Sequence, residues 1–346
     1  MLEPEITYLK FTPAQAEALA DATGVLVALG GPQACGAART AREQADRFRA
    51  TLSHSQRDVL QRFAEGKHSA LLYTHMLSLD DPLPEQLPGL ADLEQAHPCL
   101  YLAARNQLLL ELAFHRAFAF DIDNDGKQVR LVGNFKGGGR TPRADENRQT
   151  SVELSSHSGL QLGAHTEAPY RCSVRSCDGH SPAPSALILS ARWNPAHEPT
   201  LITPLPSLIE RLGSLHALAL TSPAFDYSRS DCFVPGQGAA GSAVSMLQFD
   251  SQGGFAMRYN AYRFSLNDHA SEAAAQAFDA FTALLRKAQP VTFDLQPGNA
   301  LLINNSRALH GRDVLKDNRR LLVRLFGYAP YARPVVLNDD PLLVRG

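Results

Sequence analysis

From about Gln128 onward the chain consists largely of short β-like segments. Gly, Pro, Asn or Asp separates segments such as VRLVGNF, ALILSARW, FAMRYNAYRF, VTFDL, ALLINN and RLLVRLFGY. Strands that alternate with helices would predict a parallel sheet, whereas many short strands at irregular spacing favour a barrel or a jelly roll. The sequence therefore predicts a mainly β fold with helices (α+β), whose core lies over residues 128–330.

Helical patterns dominate before this point. Thr12 and Pro13 are typical of a helix start and Gly24 of a helix end. Residues 38–64 have the pattern of polar amphipathic helices, and CLYLAARNQLLLELAF carries apolar residues on more than one face, as a buried helix does. One later helix, starting at Ser271, interrupts the strands. We expect a single domain over residues 1–346, with a mainly helical N-terminal part over 1–127.

The charge balance limits the class of partner. The chain has 33 Lys and Arg against 35 Asp and Glu, and no long run of one sign, so a nucleic-acid or acidic-membrane surface is not indicated. No apolar run approaches the roughly 18 residues that span a bilayer, and the acidic N-terminus is unlike a secretory signal. We expect a cytoplasmic protein with small-molecule partners and five reduced cysteines; the sequence does not indicate the oligomeric state.

Two glycine-containing motifs do not carry a binding function. DIDNDGKQVRLV places Asp121, Asp123 and Asp125 like a calcium loop, but Val132 stands where the loop needs a bidentate acid. A hairpin turn is the better prediction. KGGGR lacks the Gly-Lys-Ser/Thr ending of a phosphate loop and precedes no helix, which predicts an ordinary loop.

GAHTEAPY places a histidine and a glutamate two positions apart. In an extended strand such residues project to the same side, so His165 and Glu167 can direct one nitrogen and one oxygen at a common point. Among the twelve histidines, His310 follows an apolar strand in ALLINNSRALHGR, and we predict it as the third ligand. Two histidines and one carboxylate with open positions are typical of non-haem Fe(II) oxygenases.

Arg320 and Arg324 lie downstream in DNRRLLVRLFGY. Four positions apart in a strand, they share a face, and an apolar strand rarely buries two guanidinium groups without anions. They either pair with internal acids or hold two carboxylates, one from a dicarboxylic cosubstrate and one from a substrate.

The motifs GAHTEAPY, LLINNSRALHGR and RRLLVRL, in this order, resemble the Fe(II)- and 2-oxoglutarate-dependent oxygenases of the clavaminate synthase and taurine dioxygenase superfamily. Within it the chain is most similar to the free amino-acid hydroxylases, including the arginine β-hydroxylases, over about residues 149–329. The resemblance implies a double-stranded β-helix (jelly-roll) core. It also implies that oxidative decarboxylation of 2-oxoglutarate by O2 is coupled to hydroxylation of a free amino acid or derivative, in specialised metabolism such as antibiotic biosynthesis.

The resemblance also implies roles for individual residues. It assigns Fe(II) to His165, Glu167 and His310, the distal carboxylate of 2-oxoglutarate to Arg320 with Thr200, and the substrate α-carboxylate to Arg324. The two arginines could exchange these roles. Where the arginine hydroxylases carry acidic residues, this chain has Arg258 and Asn260, which favours a substrate with a neutral or amide side chain.

The stretch from 221 to 242 has the Gly, Ser and Pro content of a mobile lid, or of an ordinary surface loop. Asp226 and Asp231 in this stretch offer carboxylates to a cationic side chain, so arginine or lysine stays an alternative substrate. Desaturation, ring closure and a carrier-tethered substrate are alternatives within the oxygenase class. A barrel hydrolase or isomerase with the same three ligands, or a non-catalytic binding protein, would need neither Arg320 nor 2-oxoglutarate.

Overall fold

The structure is a computed structural model that describes residues 5–79, 81–140, 155–230, 232–234, 236–249 and 254–346. Its helices are, in chain order, α1 (Pro13–Leu29), α2 (Ala37–Arg49), α3 (His54–Ala64), α4 (Leu90–Gln95), α5 (His97–Leu112), α6 (Pro206–Leu212), α7 (Ser214–Ala219) and α8 (Glu272–Lys287). Its strands are β1 (Ile6–Lys10), β2 (Ala70–Thr74), β3 (Arg116–Phe120), β4 (Arg130–Gly133), β5 (Leu162–His165), β6 (Ala186–Trp193), β7 (Thr200–Pro204), β8 (Phe225–Tyr227), β9 (Gly241–Val244), β10 (Leu247–Phe249), β11 (Phe255–Met257), β12 (Phe264–Leu266), β13 (Val291–Phe293), β14 (Ala300–Asn304), β15 (Ala308–Arg312), β16 (Leu321–Tyr328), β17 (Val336–Asn338) and β18 (Leu343–Val344).

Two main sheets form the core. The large sheet has the order β1-β2-β14-β6-β16-β3-β18-β17, with β4 also paired to β16, and the small sheet has the order β13-β7-β15-β5. One apolar cluster joins them, with Leu187 and Phe326 from the large sheet and Ile202 and Leu309 from the small one. Two largely antiparallel sheets that enclose one core confirm the predicted jelly roll.

Helices cover the outer face of the large sheet. In β6, Leu187 belongs to the core between the sheets, whereas Ile188 packs in the cluster on the helical side, as the period of two requires. The α5 helix packs on β6 and β16 and is buried on all sides, as its sequence predicts. Asn106 of this helix donates to Val323 O at 3.0 Å and accepts from Ser190 Oγ at 2.5 Å, so the amide of Asn106 is satisfied by the sheet.

The first helix starts as predicted but ends later. Thr12 caps α1 and forms a capping box with Gln15. The prediction that Gly24 ends the helix is wrong, since α1 continues to Leu29 and ends at Gly30, whose φ of 109° is left-handed. Gly24 has open space around the position of a Cβ, whereas Leu26 is fully buried, so core packing carries the helix past the glycine.

Strands that the sequence patterns did not indicate lie in the N-terminal part. β1 pairs in parallel with β2, and β2 extends the large sheet by pairing with β14. The predicted hairpin turn at DIDNDG is also wrong, because β3 and β4 do not pair with each other. Both run antiparallel to β16, one after the other along its length. The turn therefore connects two strand segments on the same edge of β16.

The predicted late helix is confirmed as α8. Ser271 caps it through a 3.2 Å bond from Ala274 N, and Ala274 and Phe281 are buried against the core. All five cysteines are free thiols. Among the helices of the described residues, none combines the length and the apolarity needed to cross a bilayer.

The buried His115 makes folding sensitive to acid. Burial lowers its pKa to about 4, so below about pH 6.5 the unfolded chain binds a proton that the folded chain does not. The free energy of unfolding should therefore fall by up to about 1.4 kcal/mol per pH unit until the folded pKa is reached. Urea unfolding near pH 7 and pH 5 should show a smaller pH dependence for His115→Gln than for the wild type. The exposed-site variant His54→Gln is the control, and an equal slope in both variants would contradict the assignment.

Candidate metal and cosubstrate site

Neighbouring strands place the two histidines side by side. β15 pairs antiparallel with β5, and His310 lies directly opposite His165, with 4.2 Å between the ring centroids. A Cβ at position 311 would lie 2.7 Å from Leu162 O, so the close approach of the strands requires Gly311. Gly311 therefore allows the strand pairing that places its neighbour, the ligand His310, opposite His165.

The backbone of the carboxylate ligand is fixed by an asparagine. Glu167 lies two residues after His165, and its N–H donates to Asn305 Oδ1 at 2.7 Å. Asn305 Nδ2 in turn donates to Glu167 O at 3.4 Å and to Pro184 O at 2.9 Å. Asn305 directly follows β14, and it therefore holds the ligand segment against the large sheet.

The three predicted ligands converge. One ligand atom each from His165, Glu167 and His310 lies within 4.8 Å of the others, and His310 Nε2 is 3.4 Å from Glu167 Oε1. His165 Nδ1 donates to Gly163 O at 2.8 Å, which leaves Nε2 as the free ligand atom. Two imidazoles and one carboxylate fit a non-haem Fe(II) ion.

The protonation states also suit a cation. Burial, with the nearby charge of His310, lowers the pKa of His165 to about 4. Burial opposes ionisation of Glu167, but the charge of Arg324 and the hydrogen bond and charge of His310 outweigh it and hold the pKa of this carboxyl well below its usual range. At neutral pH His165 is neutral and Glu167 is ionised, as metal ligands must be.

Arg324 is bound by two carboxylates of the protein. It donates from Nη1 to Glu167 Oε1 at 2.9 Å and from Nη2 to Asp123 Oδ2 at 3.4 Å, and its guanidinium lies 3.9 Å above the ring of Phe326. Asp123 Oδ1 accepts from Arg130 Nη1 at 2.8 Å. Of the two interpretations of the paired arginines, pairing with internal acids therefore describes Arg324.

Arg320 has a different environment. It is buried, donates from Nη2 to Thr200 Oγ1 at 3.1 Å, and has no hydrogen-bond partner for Nε. Burial lowers its pKa to about 10, against the charges of Glu198 and Asp294. Within the described part of the chain no carboxylate forms an ion pair with Arg320, so its charge is not neutralised there by an acid.

Two cavities meet at the ligand group. The first, called here the arginine cavity, is lined by Arg312, Arg320 and Thr200, and has apolar walls that include Leu189 and Leu322. The lining of the second, called the polar cavity, includes Ser155, Ser156, Tyr170, Ser230, Cys232 and Asn260. Both are lined by His165, Glu167 and Arg324, so the ligand group lies where two small molecules could meet.

The remaining predicted residues are divided between two places. Asn260 lines the polar cavity, where Nδ2 donates to Tyr170 Oη at 2.9 Å. Asp226 lines neither cavity. It accepts from Ser242 Oγ at 2.8 Å and from Asn267 Nδ2 at 2.9 Å, and the bond from Asn267 is the main cause that lowers its pKa. Asp231 lies outside the described residues.

Three charged residues of the site were not predicted: Asp123, Arg130 and Arg312. Asp123 belongs to the segment whose calcium-loop pattern fails, between β3 and β4, and its partner Arg130 follows seven residues later on β4. Only Arg312 carried a local signal, because it lies two residues after a predicted ligand on the same strand and so projects to the same side.

Metal binding should depend on both histidines. His165→Ala and His310→Ala should each weaken Fe(II) binding by more than about 100-fold, since loss of even an outer partner of a ligand costs about 10- to 100-fold. Calorimetric titration without oxygen measures this, with the exposed His269→Ala as the matched control. Wild-type affinity in either ligand variant would exclude this ligand set.

Comparisons with known proteins give one family match and several structural matches. Residues 223–326 match the model of the family described as "Taurine catabolism dioxygenase TauD, TfdA family". A comparison with curated protein sequences finds no significant match.

Three solved structures share the fold along nearly the whole chain. Non-heme iron oxygenase OrfP in complex with Fe, succinate and (3S)-hydroxy-L-Arg is 22% identical, with 93% of this chain and 94% of that chain covered and a TM-score of 0.65. OrfP with Fe and alpha-ketoglutaric acid is 22% identical, with 92% and 93% covered and a TM-score of 0.63. Asparagine oxygenase in complex with Fe(II), 2S,3S-3-hydroxyasparagine and succinate is 18% identical, with 98% and 99% covered and a TM-score of 0.72. Residues 223–326 are therefore similar to the TauD/TfdA family, and the whole chain shares the jelly-roll fold of these three structures.

Proposed function

We propose that this protein is an Fe(II)- and 2-oxoglutarate-dependent oxygenase that hydroxylates a free amino acid or an amino-acid derivative. The observation that carries the proposal is the position of the three-ligand group between two cavities, one of which holds buried arginines without acidic partners. In the overall reaction 2-oxoglutarate, O2 and the substrate give succinate, CO2 and the hydroxylated product. One oxygen atom of O2 enters succinate and the other enters the product.

His165, Glu167 and His310 would hold the iron, which supplies the redox chemistry for the reaction with O2. The protein's own contribution is positioning. Asn305 fixes the backbone of Glu167, and Arg324 holds its carboxylate at one oxygen. These contacts fix the ligand side chains in place before a metal binds.

The arginine cavity suits the cosubstrate. Arg320 would bind the distal carboxylate of 2-oxoglutarate, and Thr200 orients the guanidinium by accepting one of its N–H groups. The apolar side chains of Leu189 and Leu322 match the methylene groups between the two carboxylates and exclude water. A carboxylate there would neutralise a charge that the described residues leave uncompensated.

The polar cavity suits the amino-acid substrate. Arg324 would bind its α-carboxylate through N–H groups that the contacts with Glu167 and Asp123 leave unused, because a guanidinium has five such donors. The side chains of Ser156, Ser230 and Asn260 offer neutral hydrogen-bonding groups. Asp226 lines neither cavity, so it does not offer a carboxylate to the side chain of a substrate in the polar cavity. This favours a substrate with a neutral or amide side chain over a cationic one. The hydroxyarginine and hydroxyasparagine bound to the similar structures support a free amino acid as the class of substrate.

The lid and the cellular setting complete the proposal. Residues 221–242 would cover the polar cavity, to which this segment contributes Ser230 and Cys232. We place the protein in the cytoplasm as a single-domain enzyme of specialised metabolism that binds small molecules and no nucleic acid, in keeping with its net charge of -2.

Turnover is the direct test. Purified protein with Fe(II), 2-oxoglutarate and O2 should form succinate faster when the correct pool of free amino acids is added, and His165→Ala should lose this stimulation. The product should gain the mass of one oxygen atom, whereas the loss of two hydrogen atoms would indicate desaturation or ring closure. Failure of every amino-acid pool, with no slow turnover in their absence, would reject the proposed oxygenase.

The two arginines should separate kinetically. Arg320→Met should raise the KM for 2-oxoglutarate by about 10- to 100-fold, as expected when a charged hydrogen-bond partner is lost, with a smaller effect on the KM for the amino acid. Arg324→Met should show the opposite pattern. A strong rise in the KM for 2-oxoglutarate in Arg324→Met alone would mean that the two roles are exchanged.

A further inference from the structure

Besides Arg324, which is paired with Glu167 and Asp123, two further buried arginines line the arginine cavity. Arg312 and Arg320 are 5% and 2% exposed, and both line this cavity. Arg312 is on β15, two residues after the ligand His310, so its side chain projects to the same side of the strand as that ligand. The cavity therefore carries two fixed positive charges beside the ligand group.

Neither charge is neutralised by an ion pair within the described residues. Arg312 donates from Nη2 to the carbonyl oxygens of Ser155, at 3.4 Å, and Ser158. The Nε atoms of Arg312 and Arg320 are both buried without a hydrogen-bond partner.

The acid that influences both guanidinium groups is already engaged. Both oxygens of Glu198 accept backbone N–H groups, from Lys316 at 2.9 Å and from Asp317 at 3.0 Å. Glu198 therefore stabilises the loop before β16 and forms no ion pair with either arginine.

Two like charges buried side by side are costly unless an anion lies between them. Both guanidinium groups line one cavity, and burial, followed by the charge of Arg320, lowers the pKa of Arg312 to about 9 against the charge of Glu198. An anionic group that enters the cavity would relieve this repulsion and offer acceptors to the unpaired N–H groups.

We infer that Arg312 is a second binding residue for the distal carboxylate of the cosubstrate, and that the pair Arg312 and Arg320 makes the cavity selective for dicarboxylic 2-oxo acids. This inference rests on the proposed function. It assigns to Arg312 a specificity role beyond its contacts with the Ser155 and Ser158 carbonyls.

The test compares two ligands that differ only in the distal group. 2-Oxoglutarate and 2-oxopentanoate have the same chain length, and only the former carries a distal carboxylate. Their Kd values are measured by calorimetry with the Fe(II)-loaded protein without oxygen, and their effect on the unfolding temperature is measured with the metal-free protein. Arg312→Met should reduce the preference for 2-oxoglutarate by about 10- to 100-fold, as should Arg320→Met.

The controls separate this inference from the proposed function. Arg105→Met removes another buried arginine, which donates to the carbonyls of Leu77 and Pro297, and should leave the preference unchanged. If Arg320→Met lowers the preference and Arg312→Met does not, the role of Arg312 is overturned while the proposed function stands. If the wild type shows no preference for 2-oxoglutarate, the proposed function itself fails.

A conservative variant covers the case in which Arg312→Met does not fold. Arg312→Lys keeps the charge but loses the planar pair of N–H groups, so the preference should fall by at least about fivefold and remain above that of Arg320→Met. An unchanged preference in Arg312→Lys, together with wild-type unfolding temperature shifts, would overturn the inference.

Discussion

The antiparallel pairing of β15 with β5 is the contact on which the site depends. It sets His310 opposite His165 across two strands that are distant in sequence, and Gly311 allows the backbones to approach. Glu167 then follows His165 on the same side, and Asn305 ties this segment to the end of β14. The ligand group is thus fixed by both sheets of the jelly roll, and a shift of one strand by a residue would disperse it.

Charge is distributed unequally on the two sides of this group. Glu167 and Arg324 line both cavities, and together with Asp123 and Arg130 they alternate in sign along a chain of contacts between 2.8 and 3.4 Å. Only the arginine cavity is also lined by Arg320 and Arg312, which have no acidic ion-pair partner within the described residues. A neutral network suits a site that must orient a ligand group, whereas an uncompensated pair of cations suits a site that must capture an anion. This asymmetry is the physical reason for placing the dicarboxylic cosubstrate on the side of Arg320.

Sequence reasoning succeeded where one strand or helix decides the outcome. The alternation of His165 and Glu167, the spacing of Arg320 and Arg324, and the cap at Ser271 are local patterns, and the structure brings the first four residues together. It failed where distant pairing decides. β1 and β2 are extended because β14 offers an edge, and α1 passes through Gly24 because Leu26 has a buried site. The partners of Arg324 also come from distant segments, and no local pattern could identify Asp123 as one of them.

The most direct test of the account is a crystal structure of the protein with Fe(II) and 2-oxoglutarate, prepared without oxygen. We predict an ion bound by His165, Glu167 and His310, and 2-oxoglutarate in the arginine cavity with its distal carboxylate on Arg320 and Arg312. The 2-oxo acid end should reach the ion, and the polar cavity should stay free for an amino acid. A distal carboxylate bound to Arg324 in the polar cavity, or an ion held by other residues, would contradict the assignment of the two cavities.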